Sequence, residues 1–180
     1  MPATNPIPQH PGLDSEIEQL YRDHHEMVLR TAYRITRDLG DAEDVLHGLF
    51  VRLMQREMPL GDDVNPGPYL HRAAVNAALD VLRRRKQLVP LDAVPPSGEA
   101  REESQSGLVS RAELAERLRA ALTRLTPQAA EIFVLRHVEG YSNREIGRLL
   151  GISWGSVAVA VHRARRRLQD ELQTEWRALS

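Results

Sequence analysis

Residues 141–168 read YSNREIGRLLGISWGSVAVAVHRARRRL, and this stretch decides the fold of the C-terminal part of the chain. Ser142 and Glu145 have the spacing of a capping box, which predicts a helix that begins just after Ser142. Gly151 is expected to end that helix, because glycine adopts the left-handed conformation at little cost. Ser153 is suited to cap a second helix, which runs into a cluster of arginines. Two helices joined by so short a turn predict a helix-turn-helix, a motif with which proteins read DNA.

The two predicted helices carry the residues that such a crossing requires. Gly147 is small enough to let the backbones approach, and Ile146, Leu149 and Leu150 give the first helix an apolar face. Apolar residues recur along the second helix at steps of four, three and four: Val157, Val161, Ala164 and Leu168. Capping, turn and periodicity therefore agree on the same motif.

The charge of the chain is concentrated rather than large. The net charge of 180 residues is −1, yet residues 83–86 are all basic and four of the five residues 163–167 are arginines. Between these runs, residues 92–116 hold six acidic residues against two arginines. Two positive clusters in a near-neutral chain favour a nucleic-acid-binding protein. Either run taken alone could instead be a solvated helix end that is stabilised by the helix dipole.

Composition excludes several classes of protein. The chain has no cysteine, which excludes disulfides, zinc fingers and a thiolate nucleophile. It shows no signal-peptide pattern and no apolar run of membrane-spanning length, so we expect a cytoplasmic protein without membrane insertion. Its seven histidines are scattered, with no His-x₃-His pair, so neither a metal site, a cofactor nor an enzyme is expected.

The chain is predicted to be all-α, with two small helical domains joined by a flexible acidic linker. We expect a disordered lead over 1–13, a first domain over 14–87, the linker over 88–110 and a second domain over 111–180. No further domain is expected before residue 14 or after residue 180. Stretched fully, the linker would reach roughly 75 Å at 3.3 Å per residue, so the two domains could occupy separate stretches of one duplex.

The first domain is predicted to contain three helices. The first spans 14–36 and is interrupted at Gly40, after which Asp41 caps the second. The third spans 67–86. One stripe of the first helix, as of an amphipathic helix, is formed by Ile17, Leu20, Tyr21, His24, Val28, Thr31 and Ile35. The inner side of the second helix is expected to carry Val45, Leu46, Leu49, Phe50 and Leu53, and the third helix to bury Leu70, Ala74, Ala77, Ala78 and Val81.

The second domain is predicted to begin with a helix near Arg111. Thr126 and Pro127 are expected to cap and open a helix that runs through Val138, and Gly140 to stop it before the helix-turn-helix. One face of the first helix is expected to be buried: Leu114, Leu118, Ala121, Leu122 and Leu125.

The third helix presents a polar flank away from its apolar stripe. An amide, an aromatic ring and guanidinium groups share this flank: Tyr69, Arg72, Asn76, Asp80 and Arg83. These groups can hydrogen-bond base edges, stack on bases and neutralise phosphates, which suits unpaired DNA. The alternative is an exposed helix in which Asp80 only pairs with Arg83 or Arg84.

The outer side of the second helix is a candidate docking face. The helix dipole explains the acidic residues in the first turn of this helix. It does not explain the apolar residues on the outer side. The residues in question are Leu46, His47, Phe50 and Met54, of which two apolar members are expected to be partly exposed. The alternative is that they simply belong to the core.

Three segments together resemble the sigma-70 superfamily of bacterial RNA polymerase initiation factors, in its small extracytoplasmic-function (ECF) group. DAEDVLHGLFVRLM is similar to region 2.2, which docks on the coiled coil of the polymerase β′ clamp, and PYLHRAAVNAALDVLRRRKQ to regions 2.3 and 2.4, which melt and read the −10 element. The segment from Leu122 to Leu168 is similar to region 4, which reads the −35 element. The resemblance covers about 160 of the 180 residues. It is specific because all three segments occur in the order and at the spacing of the family.

The resemblance implies roles for particular residues. It implies docking on core polymerase for Asp41, Asp44, Leu46, His47 and Phe50. It implies −10 contacts for Tyr69, Arg72, Asn76, Asp80, Arg83 and Arg84. It implies −35 contacts for Arg136, Ser142, Arg144, Ser153, Trp154, Ser156, His162, Arg163, Arg165 and Arg166. Core polymerase (through the β′ clamp and the β flap), promoter DNA and an anti-sigma factor are the implied partners, and the active protein would be associated with the nucleoid.

The chain departs from the family pattern at several positions. His47-Gly48 stands where Gln-Glu or Gln-Asp is common, and Tyr69 stands where Trp is common. Ala158 and Ala160 replace the lysines or arginines that many members carry in the recognition helix. Base reading is therefore expected to depend on Ser153, Trp154, Ser156, His162 and Arg163, with apolar contacts to thymine methyl groups.

The principal rival is a helix-turn-helix repressor or response-regulator-like protein that does not bind core polymerase. It would use only the C-terminal motif and would leave the polar flank of the third helix unexplained. Co-purification with core polymerase distinguishes the two readings, because a repressor does not require it.

Overall fold

The computed structural model describes residues 11–55, 57–58, 65–88 and 111–178, and within these ranges the chain forms seven α-helices and no strand. The all-α prediction is confirmed. The helices are α1 (Pro11–Thr36), α2 (Leu39–Met54), α3 (Pro66–Leu88), α4 (Arg111–Leu122), α5 (Pro127–His137), α6 (Asn143–Leu150) and α7 (Trp154–Ala178). Residues 1–10 of the predicted lead and 89–110 of the predicted linker lie outside the described residues, whereas residues 11–13 belong to α1.

Helices α1, α2 and α3 pack on one another and form the first module. The junction of α1 and α2 differs from the prediction, because Arg37 adopts a left-handed backbone (φ 58°) and ends α1 three residues before Gly40. Asp38, not Asp41, caps α2 by accepting a hydrogen bond from the Asp41 amide at 2.9 Å. Gly40 therefore lies inside the first turn of α2.

Helix α3 is buried on a wider arc than the sequence pattern indicated. The expected residues Leu70, Ala74, Ala78 and Val81 are buried, and Ala77 is only half-buried. Three further apolar residues of α3 are buried although the prediction left them out: Val75, Leu79 and Leu82. Helix α3 thus contacts more than its two neighbours within the first module.

Helices α4 to α7 form the second module, and its predicted caps are confirmed. The Ser142 amide donates to Glu145 Oε2 at 2.7 Å and the Glu145 amide to Ser142 Oγ at 3.3 Å, which completes the capping box of α6. Gly151 ends α6 with φ 67°. Thr126 caps α5, with Pro127 at its first position. Leu114 is exposed, so the prediction that it lies in the core is wrong: it occupies the first turn of α4, whereas the buried residues of this helix, Ala121 and Leu122, lie at its other end.

The two modules pack against each other. Helix α3 contacts both α4 and α5, and one apolar cluster contains residues of both modules, including Val75 and Leu79 of the first and Leu122, Leu125 and Ile132 of the second. A second cluster is confined to the first module, around Leu49, Phe50 and Leu70. Contact with the second module accounts for the additional buried arc of α3. No helix in the described part of the chain is long and apolar enough to cross a membrane.

Candidate nucleic-acid interfaces

A groove of about 410 Å³ lies between α2 and α3. Five of the six predicted −10 residues line it: Tyr69, Arg72, Asn76, Asp80 and Arg84. The opposite wall is formed by Asp44, Gly48 and Arg52 of α2, at steps of four residues, with Met58. The sequence prediction missed Gly48, Arg52 and Met58, although a four-residue period of small and polar positions was readable in α2.

Gly48 widens this groove. A Cβ atom built there would meet no atom within 4 Å, so the glycine leaves open space where most residues would extend a side chain. At the His47-Gly48 dipeptide the glycine therefore lines the groove, while His47 is exposed.

The sixth predicted −10 residue, Arg83, does not line the groove in this structure. Its Nη1 donates to Asp80 Oδ1 at 2.7 Å, which is the pairing that the alternative reading of this flank expected. Arg84 remains exposed at the groove wall. The polar flank is therefore assembled largely as predicted, with part of the charge of Arg83 neutralised within α3.

Two residues of the groove are hydrogen-bonded to the second module. Glu131 of α5 is buried, and its Oε1 accepts from Arg72 Nε at 2.6 Å and from Asn76 Nδ2 at 2.9 Å. The sequence gave no indication of this contact, because it joins residues 55 and 59 positions apart in different predicted domains.

A second polar contact between the modules is centred on Glu139. Its Oε2 accepts from His71 Nε2 at 2.7 Å and from Arg34 Nη1 at 3.3 Å. Because a carboxylate only accepts, His71 carries a proton on Nε2, and its Nδ1 lies 2.6 Å from the Tyr141 hydroxyl. Burial raises the pKa of Tyr141, and the nearby negative charges of Glu139 and Glu145 raise it further.

The helix-turn-helix presents an exposed face on α7. The side chain of Trp154 is 64 % exposed, and Val159 also faces solvent. The remaining predicted −35 residues on this surface are exposed as well: Arg144, Ser153, Ser156, His162, Arg163, Arg165 and Arg166. Burial lowers the pKa of His137, and the positive charges of Arg136 and Arg165 lower it further.

Four of the predicted −35 residues also have structural contacts: Arg136, Ser142, Ser153 and Ser156. Ser153 Oγ accepts from the Ser156 amide at 3.1 Å and caps α7. Arg136 Nη1 donates to the Tyr141 carbonyl at 3.0 Å, and Ser142 belongs to the capping box. The capping hydrogen bonds from Ser142 lower the pKa of Glu145. These hydrogen bonds stabilise the helix-turn-helix. The atoms that form them are therefore not available for a contact with DNA.

The predicted docking face of α2 needs correction. Leu46 and Phe50 are only 4 % and 5 % exposed, so the expectation that they form a surface is wrong. Both belong to the core of the first module, and the Phe50 ring packs edge-on against Tyr21 with centroids 5.0 Å apart. Leu46 and Phe50 share one side of α2 with the buried residues Val45, Leu49 and Leu53, and this side faces the core.

A different set of apolar residues forms the outer face of α2. Leu39, Val51 and Met54 are exposed by 57, 46 and 57 %, and the exposed His47 lies on the same side, eight residues after Leu39 and four before Val51. Asp44 is exposed toward the groove. Asp41 is half-buried: its Oδ2 forms an ion pair with Arg85 Nε at 2.9 Å, and burial raises the pKa of its carboxyl although the charge of Arg85 lowers it.

An all-helical chain with a helix-turn-helix and a polar groove between two further helices defines a two-module nucleic-acid-binding protein. Residues 20–87 match sigma-70 region 2, and residues 115–168 match sigma-70 region 4. The chain belongs to the sigma-70 family of RNA polymerase sigma factors, within its ECF group. The members of this family are transcription initiation factors.

Named relatives agree with this assignment. The ECF RNA polymerase sigma factor SigE of Mycolicibacterium smegmatis is 33 % identical over 161 residues, which cover 86 % of this chain and 61 % of that protein. The RNA polymerase sigma-E factor of Streptomyces avermitilis is 32 % identical over 160 residues, covering 88 % of this chain and 86 % of that one.

Solved structures share the fold at lower identity. The sigma factor RpoE of Bartonella quintana, in complex with the anti-sigma factor NepR, has a TM-score of 0.50 at 21 % identity and covers 88 % of this chain and 97 % of that one. CnrH, in complex with the cytosolic domain of CnrY, has a TM-score of 0.51 at 22 % identity, and the match covers 91 % of this chain and 92 % of that one.

Proposed function

We propose that the protein binds core RNA polymerase, recognises a two-part promoter through its two modules and opens the DNA at the −10 element. The observation that carries this proposal is the groove between α2 and α3, in which Tyr69, Arg72, Asn76 and Arg84 converge. Its volume of about 410 Å³ is in the range of small-ligand sites, so it can accept an unstacked base.

The chemistry of the groove suits a melted strand. Tyr69 offers a ring for stacking, Asn76 an amide for a base edge, and Arg84 a charge for a phosphate. Unpairing a base costs a few kcal/mol, and contacts to the exposed base offset that cost. Melting therefore requires no covalent step by the protein, only stronger binding to the open DNA than to the duplex.

The −35 element would be read by α7 in the major groove. Arg163, Arg165 and Arg166 can contact phosphates, which positions the helix without specifying sequence. Trp154 and Val159 are exposed apolar side chains on this helix and can contact thymine methyl groups. Base reading would thus depend on apolar contacts more than in relatives with basic residues at positions 158 and 160.

The partners follow from the same activity. We assign the β′ clamp coiled coil to the outer face of α2 and the β flap to the second module. Core polymerase and promoter DNA would place the active protein in the cytoplasm, on the nucleoid. An anti-sigma factor is a further proposed partner, and it is supported by the two similar structures, in which RpoE is in complex with the anti-sigma factor NepR and CnrH with the cytosolic domain of CnrY.

In vitro transcription tests the proposal. Core polymerase and the purified chain are incubated with a library of promoter fragments, and transcripts are sequenced. We expect start sites that share two upstream elements and that depend on the added chain. Transcription that does not depend on the chain, together with DNA binding by the chain alone, would instead support the repressor reading.

A further inference from the structure

The outer face of α1 carries a positive patch that the proposed function does not use. Arg30, Tyr33 and Arg37 follow one another at steps of three and four residues, so they lie on one side of the helix end. All three side chains are exposed, that of Tyr33 by 43 %. These three residues, the α1 patch, lie opposite the side of α1 that packs in the core.

The two guanidinium groups of the α1 patch are unpaired. Within the described part of the chain, neither Arg30 nor Arg37 forms a side-chain hydrogen bond or ion pair. Arg34 lies between them but donates to Glu139, so it is not counted in the patch. The helix dipole favours cations in the last turn, which explains Arg34 but not Arg30, because Arg30 lies six residues before the end of α1 at Thr36. Exposed guanidinium groups beside a tyrosine hydroxyl are suited to bind phosphates.

The backbone of Arg37 supports a role in binding for its side chain. With φ 58°, Arg37 is the only non-glycine residue of positive φ in the ranges that the structure describes. This conformation is costly for a residue with a Cβ atom, whereas glycine adopts it readily. Residues held in such conformations cluster at functional sites. An arginine at a position where the fold favours glycine indicates that its side chain serves binding and not stability.

The α1 patch adjoins the basic end of α3. Asp38, the residue after Arg37, pairs with Arg85 at 3.0 Å, which holds the end of α1 beside the end of α3. Arg84, the residue before Arg85, lines the groove between α2 and α3. Positive charge therefore continues from the groove, around the end of the first module, to the α1 patch.

The same end of α3 is the one from which the chain continues to the second module. The second module is proposed to read the −35 element, so the duplex that joins the two elements is expected to leave the groove on this side. The α1 patch therefore lies where intact duplex would follow the melted bases.

The dimensions of the α1 patch match a nucleic-acid backbone. Arg30 and Arg37 are seven residues apart, about 10.5 Å along the helix axis, which equals about three base pairs of duplex at 3.4 Å per pair. The patch contains no amide that could pair with a base edge, so phosphate contacts are favoured over base reading. We propose that the α1 patch binds phosphates of the duplex between the −10 and −35 elements; this inference rests on the proposed function.

The salt dependence of promoter binding by the holoenzyme tests the proposal. Arg30→Gln and Arg37→Gly each remove one charge, and each should make the log–log slope shallower by about 0.9, the value for one phosphate contact. The matched control is Arg22→Gln, which removes an exposed guanidinium of α1 that is already paired with Glu18. It should leave the slope unchanged. Wild-type slopes in both patch variants overturn the proposal.

Uncharged phosphate analogues locate the contact on the promoter. Methylphosphonate linkages between the two elements should weaken binding by the wild type, and should weaken binding by the double variant Arg30→Gln with Arg37→Gly less, because its contacts are already lost. The same linkages downstream of the −10 element should affect both proteins equally. Linkages between the elements that affect both proteins equally overturn the proposed placement.

Two further variants separate binding from stability and charge from hydrogen bonding. Arg37→Gly relieves the left-handed backbone, so its midpoint of urea unfolding should equal or exceed that of the wild type while its affinity for DNA falls. A clearly lower midpoint would give Arg37 a structural role and overturn its assignment. Tyr33→Phe should weaken binding without changing the slope, because it removes a hydroxyl and no charge. Unchanged affinity would overturn the role of Tyr33.

The free chain gives a readout that does not require polymerase. Its affinity for a fluorescein-labelled duplex of unrelated sequence is measured at about 50 and 200 mM salt. Over this range the wild type should lose on the order of tenfold more affinity than the double variant, as expected for two phosphate contacts. Equal losses overturn the proposal, and binding of an acidic protein by the α1 patch would give that result. If the losses differ as expected but the holoenzyme opens no promoter, the proposed function is wrong and the phosphate site on α1 is retained.

Discussion

At the scale of single residues, Gly147 sets how closely α6 and α7 cross. A Cβ atom at this position would lie 2.8 Å from the carbonyl oxygen of Ile152, a backbone atom that cannot move aside as a side chain can. Its backbone is helical, so the requirement is for space and not for an unusual conformation.

We predict that Gly147→Ala destabilises the second module by about 1–3 kcal/mol, the usual cost of overpacking, although alanine is the better helix former. Gly155→Ala is the control, because its Cβ would lie 3.9 Å from the nearest atom, an ordinary contact. Urea unfolding measures both variants. A Gly147→Ala protein as stable as the control would show that the crossing tolerates a methyl group.

Ala158 tests the placement of α7 on DNA. Ala158→Arg should add a phosphate contact and steepen the salt dependence of promoter binding by the holoenzyme by about 0.9 in the log–log slope. If the arginine pairs with guanine instead, it should add roughly 1–3 kcal/mol of preference at one base pair.

The control for this variant is Gln173→Arg, which adds the same charge at an exposed position 15 residues further along α7, or about 22 Å at 1.5 Å per residue. The control variant should change neither the salt dependence of promoter binding nor the preference at any base pair. If Ala158→Arg also changes neither, α7 does not lie in the major groove as proposed.

At the scale of helices, Asp38 determines where α2 begins. Hydrogen bonding to the Asp41 amide lowers the pKa of the Asp38 carboxyl, and the Arg85 side chain lowers it further. A carboxyl whose pKa is lower in the folded state stabilises the fold above its unfolded pKa of about 3.9, and this stabilisation is lost as the pH falls through the folded value.

We therefore predict that Asp38→Ala costs about 1 kcal/mol at pH 7, as expected for a lost N-cap. The difference in unfolding free energy between wild type and variant should shrink when the pH is lowered below about 4, toward the folded pKa. Urea unfolding at pH 7 and at pH 3 measures it. A difference that stays constant with pH would mean that the carboxylate charge of Asp38 contributes nothing.

The outer face of α2 carries the proposed contact with core polymerase. We predict that Val51→Asp combined with Met54→Asp weakens holoenzyme formation by at least about 2 kcal/mol, the effect of interface hot spots. The stability of this double variant should differ little from that of the wild type, because both residues are exposed. Phe50→Asp could not test this point, since it would place a charge in the core.

Leu114→Asp is the matched control, because Leu114 is an equally exposed apolar residue on the second module. It should leave the affinity for core polymerase, measured by fluorescence anisotropy, unchanged if the clamp contact dominates. Wild-type affinity of the α2 variant would place the docking surface elsewhere.

Local signals explain what the sequence could predict. The capping box at Ser142, the cap at Thr126 and the turn at Gly151 depend on residues at most three positions apart, so they were readable. The start of α2 was not predicted because Arg37 adopts a left-handed backbone conformation, which an arginine in the sequence does not indicate. Leu46 and Phe50 were misplaced because both the inner and the outer side of α2 carry apolar residues.

At the scale of the whole molecule, the contact between the modules was not predictable from the sequence. Residues of α3 that face α5 alternate between polar and apolar: His71, Arg72, Val75, Asn76 and Leu79. Such a mixed face resembles a solvated flank in sequence, and it is covered only by residues distant in the chain: Glu131, Glu139 and the second module's part of the shared apolar cluster. Arg72 and Asn76 thus belong both to the wall of the groove and to the contact between the modules.

The shared apolar cluster makes the stability of the modules interdependent, and Leu79→Ala tests this coupling. Leu79 is buried in the cluster that spans both modules, and a Leu→Ala change in a core costs about 2–5 kcal/mol. Because this cost falls on contacts that both modules use, amide exchange should accelerate in α5 as well as in α3. Hydrogen exchange with mass spectrometry resolves the helices.

Leu49→Ala provides the comparison, since Leu49 belongs to the cluster confined to the first module. It should accelerate exchange in α1, α2 and α3 and change α5 less than Leu79→Ala does. If the two variants affect α5 equally, the modules unfold as one unit and the contact between them has no separate stability. If Leu79→Ala leaves α5 unchanged, the apolar contacts between the modules contribute nothing to their association, and the polar contacts of Glu131 and Glu139 alone would have to maintain it.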